Sequence, residues 1–117
     1  MTSQAIPLFD IPLDCSRAVR EASDCLQSHQ WQTMRSFDLQ AARLAHQHCA
    51  CPHHGTAQCD CQMVVLLLYG QTESPLTLLA HGRDNITHFS LVVSGEHSRW
   101  VETITTLLQA HFRYALV

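Results

Sequence analysis

The 117-residue chain predicts an α+β fold, with a largely antiparallel sheet of about five strands, helices packed on one face, and a Cys/His-rich loop inserted mid-chain. Three observations lead there. Apolar residues recur at helical spacing near both ends of the chain, from Cys15 to His29 and from Trp100 to His111. Three strand-like runs follow one another between Met63 and Val93 with only short turns between them. Four of the six cysteines fall within 13 positions, Cys49 to Cys61, and interrupt the regular pattern.

The first element is an edge strand at Ile6 to Pro12, because proline cannot donate to an inner ladder. Asp14 then caps a helix from Cys15 to about His29, with Val19, Ala22 and Leu26 on the buried stripe and Arg17, Arg20, Glu21 and Asp24 opposite. Trp31, Thr33, Arg35 and Phe37 mark a second strand, rich in aromatic and β-branched residues. Asp38 is a second N-cap, and Leu39, Ala42 and Ala45 or His46 form the stripe of a short helix leading into the cysteines.

After Cys61 the period changes. Met63 to Tyr69 is a continuous run of apolar residues, as expected of a strand inside the sheet, and it ends at Gly70. Gln71 to Ser74 forms a loop, Pro75 to His81 the next strand, and Gly82-Arg83-Asp84-Asn85 a tight turn into Ile86 to Val93. These three strands should make an antiparallel meander. Trp100, Ile104, Leu107, Leu108 and His111 then share one helix face, with Ser94, Gly95 and Ser98 as start signals.

Composition bounds the organisation and the partners. A chain of 117 residues with 46% hydrophobic and 15% charged residues suits one domain with one core. The net charge is −3 and the seven basic residues, all arginine, are scattered, so no basic face for nucleic acid is expected. The nine histidines raise the positive charge in mild acid. No signal-peptide pattern opens the chain, and Met63 to Tyr69 is too short to cross a bilayer, so a cytoplasmic location and no membrane partner are expected. In that setting Asn85-Ile86-Thr87 is an accidental glycosylation triplet.

The stretch from Ile11-Pro12-Leu13-Asp14-Cys15 through Ala18-Val19, Leu26, Trp31 and Ser36-Phe37-Asp38-Leu39 resembles the opening of domain-of-unknown-function family 302. In that family a short strand leads to a helix beginning with an Ala-Val pair, and an aromatic residue opens a strand ending in an acid that starts the second helix. Ala18-Val19, Trp31 and Asp38 look like those positions. The resemblance covers residues 6–45 and implies an α+β fold. It fails beyond Ala45, where the family continues with a Cys-Asn-Pro element after a further strand but Cys51-Pro52 lies in a cysteine-dense insertion, and it transfers no functional residue.

The chemistry-bearing segment is His46 to Cys61. Two Cys-x-Cys units, Cys49/Cys51 and Cys59/Cys61, flank a seven-residue loop in which Pro52 and Gly55 help the chain fold back. Four thiolates then meet one ion, most simply Zn²⁺; soft sulfur ligands equally suit an iron-sulfur cluster or Cu(I). Cys-x-Cys is less usual than Cys-x-x-Cys in structural zinc sites, which leaves room for His53 or His54, and beyond them His46 or His48, in the ligand set. A redox dithiol and a chance cluster are the competing readings.

Other candidates carry less. Cys15 and Cys25 lie ten positions apart on one helix, too far along its axis to crosslink, and read as core residues. His111 reads as a packed histidine. His81 and His88 flank one turn, near enough to share a small ion, although a solvated polar turn is the simpler account. No nucleophile triad, phosphate loop or His-Glu-x-x-His helix is present, which argues against an enzyme. The functional expectation is a small zinc-binding module with a structural or interaction role, with a homodimer as the expected assembly. A metal or redox sensor and a small metalloenzyme are the alternatives.

Overall fold

In the computed structural model, residues 4–36, 62–93 and 95–115 are described. The order is β1 (Gln4–Ile11), α1 (Cys15–Ser28), β2 (Gln32–Ser36), β3 (Gln62–Tyr69), β4 (Leu76–Arg83), β5 (Ile86–Val93), a 3-10 turn (Gly95–Arg99) and α2 (Trp100–Ala115). The strands form one sheet in the order β1-β5-β4-β3-β2, and every neighbouring pair is antiparallel. The expected α+β architecture and the β3-β4-β5 meander are therefore present. The short helix expected after Asp38 lies outside the described residues.

Antiparallel pairing throughout makes β1, β4 and β2 run the same way, with β1 and β2 at opposite edges of the described sheet. A hairpin cannot join parallel strands, so the chain between them must cross over. Helix α1 makes that crossing, packing over β2, β3 and β4, while α2 lies beside it against β1. Asp14 occupies the N-cap position in extended backbone but makes no side-chain capping bond, so α1 gains its stability from the face it buries. That face is Cys15, Ala18, Val19, Ala22, Cys25 and Leu26.

The main core lies between the helices and one face of the sheet. Leu66 and Leu68 of β3, Leu76, Leu78 and Ala80 of β4, and Phe89, Leu91 and Val93 of β5 meet Ile104, Leu108 and Phe112 of α2. Phe9, Phe89 and Phe112 pack as a trio with ring centroids 5.4 to 6.1 Å apart. Trp31, expected to open β2, instead lies fully buried just before it, where its amide donates to the Leu26 carbonyl at the end of α1. Gln30 bridges the two elements with a φ of 71°.

On the other face of the sheet Val65 and Leu79, directly opposed across β3 and β4, form a smaller cluster with Ala5, Met63 and Val92. This two-sided burial explains why β3 reads as a continuous apolar run rather than an alternating one. Near the β1 edge, buried Thr87 donates its hydroxyl to the Leu13 carbonyl at 2.8 Å and so ties the turn before α1 to β5.

The boundary between β4 and β5 differs from expectation. Gly82 and Arg83 are strand residues, with Gly82 opposite Thr87 and Arg83 opposite Ile86, so the turn contracts to Asp84 and Asn85. Both turn residues have positive φ, 56° and 61°, the backbone that a two-residue hairpin of matching twist requires. The glycine at position 82 serves helix packing instead, as the space beside Cys15 shows.

Candidate functional site

The residues expected to hold metal, Cys49, Cys51, Cys59, Cys61, His53 and His54, lie outside the described residues, as do His46 and His48. What the fold fixes is where that segment begins and ends. Ser36 closes β2 opposite Val65, and Gln62 opens β3 opposite Gly82. Residues 37–61 therefore connect two adjacent antiparallel strands that pair for five residues.

The other two cysteines are described fully, and both lie in the core. Cys15 and Cys25 are each 2% exposed and free of disulfides. The Cys15 thiol points toward the Ala80 carbonyl at 3.8 Å, and the Cys25 thiol toward the Leu107 carbonyl at 3.5 Å. Burial pushes both thiols above their ordinary range, because a thiolate in an apolar core loses its hydration. For Cys15 that desolvation outweighs the opposing pull of the Arg35 guanidinium. Both are therefore neutral thiols that secure α1, as expected of core residues.

Three described histidines have defined partners. His111 on α2 meets Glu21 on α1 at 2.8 Å, a contact in which each side chain is 30% exposed and which joins the two helices. It is thus packed, with a carboxylate partner that helical periodicity alone does not reveal. His29 ends α1, where its Nδ1 donates to the Cys25 carbonyl at 2.9 Å. On the face of the sheet away from the helices, His88 of β5 contacts the Asp10 carboxylate of β1 through Nδ1 at 2.5 Å.

His81 lies across β4 from His88, with ring centroids 6.3 Å apart and planes tilted by 36°. Asp10, His88, His81 and Met63 are register partners in succession, so they form one row across β1, β5, β4 and β3. The expectation of two neighbouring histidines beside one turn is met; the carboxylate is an addition. It escaped sequence reading because Asp10 lies 78 residues from His88 and only the β1–β5 register joins them. Among the described residues, no group of three or more His, Cys, Asp or Glu side chains is arranged to hold an ion.

Comparisons with family models, with curated proteins and with solved structures give no match. Among the described residues no helix is long and apolar enough to cross a membrane.

Proposed function

We propose that this chain is a small metal-binding α+β module, most simply a zinc module, in which the Cys/His segment 46–61 holds the ion and the metal serves a structural or interaction role. The observation that carries the reading is the division of the cysteines. Of the six, Cys15 and Cys25 are sealed in the core as neutral thiols, so thiolate chemistry falls to Cys49, Cys51, Cys59 and Cys61, with His53 and His54 as candidate replacements. Four cysteines spaced this closely in the sequence are the composition that tetrahedral zinc uses, and iron-sulfur or Cu(I) binding draws on the same softness.

The place of the segment in the chain supports a structural role. It lies within the 25-residue connection 37–61 between neighbouring strands, and ordering a connection of that length costs conformational entropy that a bound ion offsets. A module of this kind acts through its surface, with a second copy of the chain as the simplest partner.

The test is elemental analysis and an absorption spectrum on untagged protein purified without oxygen, comparing wild type with Cys59→Ser/Cys61→Ser. One equivalent of zinc, absent from the variant, supports the reading. Iron with a visible charge-transfer band moves it to a cluster and toward sensing. Metal-free protein with four freely reacting thiols ends it.

A further inference from the structure

The β4–β5 hairpin sets two imidazoles, His81 and His88, directly opposite each other on the face of the sheet away from the helices. We propose that His81 and His88 form a site for a divalent late-transition-metal ion, Zn²⁺ or Ni²⁺, with Asp10 as the residue that positions His88. It is built from residues other than those proposed above and does not depend on them.

Geometry is the first argument. His81 and His88 are directly opposed, where the Cβ atoms of a strand pair stand about 4.5–5.5 Å apart. Their rings stand 6.3 Å apart, centroid to centroid. Metal–nitrogen bonds of about 2.0–2.1 Å place two rings sharing one ion roughly 5–6 Å apart. A small rotation about the side-chain torsions closes the difference. The backbone beneath is held by the ladder and closed by the two-residue turn at Asp84 and Asn85, so the pair is organised before an ion arrives.

Proton placement is the second argument. With Nδ1 of His88 donating to Asp10 Oδ1, the neutral ring keeps its lone pair on Nε2, the atom that would bind the ion. A carboxylate behind a ligating histidine fixes the tautomer, holds the ring plane and raises the basicity of the ligating nitrogen. The His88 side chain is 46% exposed, so an ion reaches it from solvent, whereas Nε2 of His81 is shielded and that ring must turn to meet the ion, with water completing the coordination. Arg83, two residues along β4 from His81, is paired with Asp84 at 3.2 Å, which reduces its repulsion of a cation. Imidazole ligands suit nickel and zinc, whereas calcium and magnesium prefer an oxygen shell.

The experiment uses the untagged, ¹³C,¹⁵N-labelled full chain titrated with zinc chloride, with the histidine ring nitrogens followed by long-range proton–nitrogen correlation. The expected result is that His81 and His88 shift together, with His88 ligating through Nε2 while Nδ1 keeps its proton. Asp10→Asn should weaken this site about 10-fold or more, as loss of a carboxylate behind a ligating histidine does. His88→Ala should abolish the coupled shift. Rings of His81 and His88 that stay unmoved up to millimolar zinc overturn the proposal, as does an Asp10→Asn variant with unchanged affinity. Cysteine Cβ shifts report the 46–61 segment in the same titration, so either site can fail without the other.

Discussion

Gly82 of β4 faces Cys15 at the first turn of α1 so closely that a methyl group added at position 82 would lie 2.6 Å from the Cys15 Cβ. This approach lets α1 sit down on the sheet. Replacing Gly82 with alanine should destabilise the protein by about 1–3 kcal/mol, the usual cost of overpacking a tight contact. Because the obstructing atom is Cβ, Cys15→Ala should not rescue the variant, since alanine keeps that atom. Urea unfolding of the two single variants and the double variant tests this; recovery in the double variant would show that the sulfur, not the backbone approach, sets the spacing.

Gly82 also shows what the sequence conceals. A glycine two residues before Asp84-Asn85 reads as part of a turn, because turn chemistry is local and the helix that passes over position 82 is not. The elements themselves were legible: the stripe from Cys15 to Leu26 gives α1, and the run from Ile86 to Val93 has the bounds of β5. The order β1-β5-β4-β3-β2 was not, since pairing Gln4 with Val93 joins residues far apart in the chain and leaves no local trace. For the same reason the two histidines of the hairpin were visible as neighbours while Asp10 was not. The Cys/His segment is the converse case, plain in the sequence and outside the described residues.

Trp31 and Trp100, the only two tryptophans of the chain, pack edge to face with ring centroids 5.3 Å apart and planes at 84°. The pair ties the α1–β2 junction to the start of α2. Indoles this close couple their electronic transitions, so the circular dichroism of the folded protein should show an exciton couplet that both Trp31→Phe and Trp100→Phe remove. Trp31 is the buried partner, and Trp31→Ala should cost about 3–5 kcal/mol. A couplet that survives in either phenylalanine variant would refute the pairing.

The buried thiols predict a pH effect of defined sign. Burial raises the folded-state values of Cys15 and Cys25, so on raising the pH the unfolded chain loses these protons before the folded one does. Their contribution is complete below the ordinary thiol value of about 8.5 and is lost as pH climbs through it toward the raised folded values. Between about pH 7 and pH 10, wild-type stability should therefore fall more steeply than that of Cys15→Ala/Cys25→Ala, measured by urea unfolding under reducing conditions. Equal slopes would contradict it. In the native protein these two thiols should also react with an aromatic disulfide reagent only after unfolding.

Glu21 and His111 join α1 to α2 across 2.8 Å with both side chains partly in solvent. Solvent screening limits such a pair, and a double-mutant cycle through Glu21→Gln and His111→Ala should give a coupling of about 0.2–1 kcal/mol that shrinks with added salt. The larger consequence is for helix packing, because the contact lies beside Phe112, whose ring stands 5.6 Å from that of His111. His111→Ala alone should therefore cost more than Glu21→Gln alone. The opposite order would place the value of the contact in the charge rather than in the ring.

The hairpin that presents His81 and His88 depends on two residues in left-handed backbone, Asp84 at φ 56° and Asn85 at φ 61°. Left-handed backbone costs most residues about 1–2 kcal/mol, asparagine and aspartate less, and glycine almost nothing. Asn85→Gly should thus hold or raise stability, whereas Asn85→Val should lower it by roughly that amount, since a β-branched side chain fits the region poorly. The same pair of variants bears on the histidine site. If the turn sets the register that opposes His81 to His88, Asn85→Val should weaken zinc-induced shifts of both rings while Asn85→Gly leaves them intact. Unchanged shifts in the valine variant would mean that pairing with β1 and β3 on either side holds the register without help from the turn.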